Sequence, residues 1–107
     1  LAAGAPVAVD YAPSFVDGAG GKSLLPAMWE RARPLLSGAV AVTLDDTAAA
    51  VRALATRAHV VAEGAGALAL AAALGGRVEG ERVVCIVSGG NIDAARLATI
   101  LTGRTPD

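Results

Sequence analysis

An α/β fold, with a mostly parallel sheet and flanking helices, is what this sequence predicts on three observations. The first is Val83-Val84-Cys85-Ile86-Val87, an apolar and largely β-branched run without polar alternation, the pattern of a parallel strand buried on both faces. The second is its abrupt stop at Ser88-Gly89-Gly90-Asn91, which passes directly into a helical pattern over 92–101. The third is an earlier stretch that does the same, where His59-Val60-Val61-Ala62 runs through Glu63-Gly64-Ala65-Gly66-Ala67 into a helix. Short apolar segments alternating with helices indicate βαβ units. A strand that enters a helix through glycines puts backbone N–H groups at the carboxyl edge of a sheet, where open α/β folds bind ligands.

The elements follow in order. Leu1 is an unusual start for a translated chain, so residues 1–107 are expected to be a single portion of a longer one. Pro6-Val7-Ala8-Val9 is a weak strand candidate, followed by a glycine-rich loop over 14–23 that cannot be a regular element. Leu24 to Arg33 suits a short helix with Pro26 in its first turn, stopped by Pro34 and turned at Ser37-Gly38. Ala39 to Thr43 reads as a strand. Asp45 or Asp46 can cap the next helix, which runs to about Ala58 with Ala48, Val51, Leu54, Ala55 and Ala58 on one face. Residues 59–62 form the next strand, and the helix from Ala67 to Leu74 ends at Gly75-Gly76. Glu79 and Gly80 turn into the last strand, and Gly103 stops the last helix.

Composition narrows the function classes. The chain is 54% hydrophobic but has one Phe, one Tyr and one Trp, so its core is expected to be built from Ala, Val, Leu and Ile. A net charge of -1 gives no footprint for nucleic acid or an anionic membrane. No apolar run approaches the roughly 18 residues of a spanning helix, and no secretory leader is evident. The single cysteine, Cys85, sits in a predicted buried strand and reads as a small apolar residue. A cytoplasmic protein is expected.

Few residues carry chemistry. Gly21-Lys22-Ser23 ends like a P-loop, but the spacing requires glycine where Val16 stands, and Pro13 interrupts the strand that should lead in. Glu63 has two readings: a carboxylate complementing a helix N-terminus, or a ligand-facing acid in a glycine-rich corner. Ser88 is likewise either a hydroxyl satisfying orphan N–H groups or a ligand contact at the sheet edge. His59, the only histidine, has no companion that would make a hydrolase triad or a metal site. Asp17 and Asp93 read as turn or cap residues.

Four motifs in order carry a resemblance. Phe15-Val16-Asp17-Gly18, Val42-Thr43-Leu44-Asp45-Asp46, Glu63-Gly64-Ala65-Gly66-Ala67 and Ile86-Val87-Ser88-Gly89-Gly90-Asn91 together resemble the carboxyl-terminal part of the threonine/serine dehydratases. These are fold-type II pyridoxal-phosphate (PLP) enzymes, tryptophan synthase β-like in fold, and the group includes serine racemase. The chain departs at Gly64, where the family usually has proline, and this should loosen the helix start. The resemblance implies PLP as cofactor, Ser88 as hydrogen-bond partner of its pyridine nitrogen, and Gly89, Gly90, Asn91, Glu63 and Gly18 around it. A neutral hydroxyl does not hold that nitrogen protonated, which suits prompt β-elimination of water from L-serine or L-threonine to a 2-oxo acid and ammonia. The family's cofactor lysine and metal-binding carboxylates have no counterpart here, because Lys22, the only lysine, lacks the Ser-Phe-Lys setting. No catalytic residue and no metal ligand are therefore assigned. The expected partners are an amino-acid substrate, the missing amino-terminal portion of the enzyme, and a second copy, since family members commonly dimerise. A non-catalytic α/β module acting by association, or another fold-type II enzyme such as a racemase, remain the alternatives.

Overall fold

The computed structural model describes all 107 residues and contains four α-helices: α1 (Pro26–Ala32), α2 (Leu44–Ala53), α3 (Gly64–Leu74) and α4 (Ala94–Leu101). Short 3-10 turns occupy Asp17–Ala19 and Arg33–Leu35. A π-turn over Leu54–Ala58 prolongs α2 and ends at His59, whose left-handed φ of 56° stops the helix.

The predicted parallel sheet is not present. The segments at 6–9, 39–43, 59–62 and 83–87 contain no strand, and the α/β expectation is corrected to an all-helical arrangement with extended connections. The physical reason is pairing. β-Branched residues favour an extended backbone, but a strand exists only where a neighbour completes a ladder of bonds in register. Here the bridges between extended segments are isolated, such as Val9 N–H to the Lys22 carbonyl at 2.8 Å and Glu63 N–H to the Gly89 carbonyl at 3.1 Å. Nor is the 83–87 run buried: Val84 is 90% and Ile86 75% exposed. Cys85 is half-buried rather than buried, and its thiol donates to the Ala69 carbonyl at 3.6 Å. Val40, Ala41 and Val42 lie beside Leu68, Ala69 and Ala72 of α3 along a shallow apolar groove. Two extended segments thus meet α3 without pairing into a sheet.

The helices follow their sequence signals closely. Pro26 takes the first position of α1, where its missing N–H costs nothing. At α2 the cap is Thr43, not Asp45 or Asp46: its hydroxyl accepts from the Asp46 N–H at 3.0 Å, and the Asp46 carboxylate accepts from the Thr43 N–H at 3.4 Å. This reciprocal capping box satisfies two orphan donors. Those Thr43 hydrogen bonds, with the Arg77 guanidinium 3.0 Å away, hold the Asp46 carboxyl below its usual range. Helix α3 begins at Gly64, three residues earlier than predicted, and α4 at Ala94 rather than Ile92.

The core lies where α2 packs on α3 and α4. Val51, Ala50, Ala67 and Ile100 are almost fully buried, with Phe15 brought in from the amino-terminal loop. Thr47 is buried too, its hydroxyl donating to the Thr43 carbonyl at 2.8 Å. Of the predicted apolar face of α2, Ala48, Val51 and Leu54 are buried, Ala55 is half-buried and Ala58 is exposed. Only 13 of 107 residues are buried, and the molecule is a slab of 40 × 34 × 18 Å. Its radius of gyration, 14.6 Å, exceeds the about 13 Å expected of a compact domain of this length. No helix is long and apolar enough to cross a membrane.

Candidate functional site

The site forms where the amino-terminal end of α3 meets the 88–91 corner and the Asp17–Ala19 turn. Close backbone approach defines it. A Cβ on Gly66 would overlap the Gly89 carbonyl oxygen, and one on Gly90 would stand 2.6 Å from the Val61 carbonyl oxygen. Both lie well inside contact distance, so the glycines are required by packing as well as by turning. Gly64 behaves similarly. Its Cβ position is 2.8 Å from the Phe15 carbonyl oxygen, so glycine there lets the amino-terminal loop seat against α3.

Glu63 stands at the N-cap position of α3, but its side chain makes no capping hydrogen bond. The carboxylate turns instead toward two glycines. A Cβ on Gly18 would be 3.5 Å from Glu63 Oε1, and one on Gly89 would collide with the same oxygen. Glu63 thus sits at the helix N-terminus, where its charge complements the dipole, while its carboxylate also faces the glycine corner. A cleft of about 370 Å³ opens here, lined by Asp17, Gly18, Glu63, Asn91, Asp93 and Arg96. A larger cleft, about 490 Å³, is bounded by Trp29, Glu30, Arg33 and Pro34 and contains none of the predicted site residues.

The structure brings Gly18, Glu63, Gly89 and Asn91 together across up to 73 positions of sequence. Gly90 abuts the Val61 carbonyl, and Ser88 is exposed; neither lines the cleft. Lys22 is exposed on the glycine-rich loop and is not among the residues of the cleft. Three charged residues join the site without having been predicted for it. Asp17 and Asp93 read from sequence as turn and cap residues, and Arg96 gives no local signal beyond its i,i+3 spacing from Asp93. Arg96 Nη1 donates to Asp17 Oδ2 at 3.3 Å, and its Nε lies 4.0 Å from Asp93 Oδ2. The carboxylates do not assemble into a cation cage: no group of three or more His, Cys, Asp or Glu residues could hold a metal ion.

Ser88 offers an exposed neutral hydroxyl at the start of the 88–91 corner, a group able to hydrogen-bond an aromatic nitrogen. No curated protein matches the chain, but the family model described as pyridoxal-phosphate dependent enzyme matches residues 1–89. The matched span includes Gly18, Glu63, Ser88 and Gly89, and stops one residue before Gly90. Covering most of the sequence, this match places the chain in the pyridoxal-phosphate dependent enzyme family.

Proposed function

We propose that these residues form the ring-facing side of the cofactor site in a threonine/serine ammonia-lyase, which eliminates water from the hydroxy amino acid. The observation that carries this reading is the convergence of Gly18, the Glu63 carboxylate and Gly89 beside the exposed Ser88. When bound, PLP supplies the electron sink for the α-carbon. Ser88 Oγ would hold the ring nitrogen as a neutral hydrogen-bond partner, a partner that suits elimination of the β-hydroxyl. Gly89 and Gly90 would let the corner seat close behind that hydroxyl, and Asn91 would offer an amide at the same corner. Glu63, half-buried and without a capping hydrogen bond, orients toward Gly18 across the cleft.

The amine that carries the cofactor and moves the α-proton belongs, in this reading, to polypeptide other than residues 1–107, because Lys22, the only lysine, is exposed and does not line the cleft. The exposed apolar surface supports an added segment: Leu25, Leu35, Val84 and Ile86 are all at least 69% exposed, and such surface marks contact sites. The same surface favours a second reading, a non-catalytic module that works by association.

The test is a PLP titration of the intact protein, reading the lysine-bound cofactor band above about 400 nm together with 2-oxo acid release from L-serine and L-threonine. The lyase reading expects both signals, and a strong loss of each in Ser88→Ala. A cofactor band with D-serine as the product would make it a racemase instead. Absence of any cofactor band would overturn the proposal and leave the association module.

A further inference from the structure

We infer that Arg96 is a positioning residue: through its ion pair with Asp17 it tethers the Asp17–Ala19 turn, and hence Gly18, to the start of α4. The inference rests on the cofactor-site reading above for its functional meaning, though not for its geometry. Three observations support it.

The first is how the turn is held. Its own hydrogen bonds are local: Gly20 N–H to the Asp17 carbonyl at 3.1 Å, Ala19 N–H to the Val16 carbonyl at 3.4 Å, and Val16 N–H to Ser14 Oγ at 3.2 Å. Phe15 and Val16 pack on the core just before it, and the turn itself lies against α3. The side-chain hydrogen bond that joins it to α4 is the one from Arg96 Nη1 to Asp17 Oδ2, spanning 79 residues. The second observation is charge. Asp17, Glu63 and Asp93 all line the cleft, and Arg96 is the one cation among them. Without it, three carboxylates would repel across the opening, and the Asp17 turn would lose its side-chain link to α4. The third is where Arg96 sits. It is the third residue of α4, at the positive end of the helix dipole, where a cation is disfavoured. Asp93, the N-cap residue, offsets part of that cost as an i,i+3 partner, and the shorter bond to Asp17 gives the guanidinium a partner outside its own helix.

Hydrogen exchange on the intact protein, without added cofactor, reads the tether directly. In Arg96→Met and in Asp17→Asn, amides of Val16–Gly20 should exchange about two- to fivefold faster, the range a half-exposed ion pair supports. Amides of α2 and α3 should not change. Arg96→Lys should recover part of the protection, and the charge swap Asp17→Arg with Arg96→Asp should recover it more fully than either half alone. PLP affinity, read by cofactor fluorescence, should weaken by a similar factor in the two neutral variants and return in the swap. Unchanged exchange at 16–20 in both neutral variants, or a swap no better than its halves, would overturn the inference. Failure of the unsubstituted protein to bind PLP would instead overturn the cofactor-site reading, with the exchange result still deciding the tether.

Discussion

Replacing Gly66 with alanine sets two effects of known size against each other. In an exposed helix the change stabilises by about 0.8–1 kcal/mol, because glycine is the poorer helix former. Gly66 is the third residue of α3 and is buried, and its new Cβ would lie on the Gly89 carbonyl oxygen and 3.0 Å from the Gly89 nitrogen. Both neighbours are backbone, so no flexible side chain can swing aside. Overpacking of this kind costs about 1–3 kcal/mol, which outweighs the propensity gain unless the 88–91 corner retreats. Two linked outcomes follow: net destabilisation of about 1–2 kcal/mol, and displacement of Ser88 and Gly89 from Glu63. Thermal unfolding should show a midpoint lower by at least about 4 °C, and a PLP titration should show weaker binding. Gly38→Ala is the control, since nothing lies within 4 Å of its Cβ position, and it should be neutral or slightly stabilising. A Gly66→Ala protein as stable as the unsubstituted one, with undiminished PLP affinity, would refute the close approach on which the site is built.

Four further outcomes can be checked. Ile100→Ala removes a fully buried side chain between α4 and α2 and should cost about 2–5 kcal/mol in denaturant titration. Asp46 is held below its usual pKa, first by its Thr43 hydrogen bonds and then by Arg77. Since the folded value lies below the unfolded one, its stabilising contribution is complete above the ordinary carboxylate range of about 4 and disappears as pH falls through the folded value. Acid unfolding curves of Asp46→Asn should therefore be flatter below that pH, and Thr43→Ala should lose about 1 kcal/mol of capping at neutral pH. His59→Gly relieves the left-handed residue that ends the π-turn and should raise stability by up to about 1 kcal/mol, measured by the same titrations.

Helices were legible because their signals are local. Pro26 and Gly75 each act within one turn of the residues they start or stop, so the sequence shows them directly. Thr43 reads from sequence as the end of a strand, and its capping role goes to Asp45 or Asp46 because an acid before an apolar helix is the stronger local signal. The sheet was misread because an apolar run such as 83–87 states only that the backbone prefers to be extended; whether a neighbour pairs with it is a property of distant residues. The candidate site divides in the same way. The Ser88–Asn91 corner and Glu63 stand out as glycine-rich entries to helices, whereas the bridge from Arg96 to Asp17 joins side chains 79 residues apart and leaves no mark in local spacing. Gly64 shows the limit from the other side: judged by propensity it weakens a helix start, but judged by its neighbour it admits the Phe15 backbone.

Helices α2 and α3 are consecutive, joined by residues 59–63, and make the most extensive contact in the molecule. Contacts so close along the chain close small loops and form quickly, so this hairpin can assemble before residues 88–91 have been synthesised. The hairpin is thus an early template, and the pocket is completed only when the later 88–91 corner docks against Glu63 and Gly66.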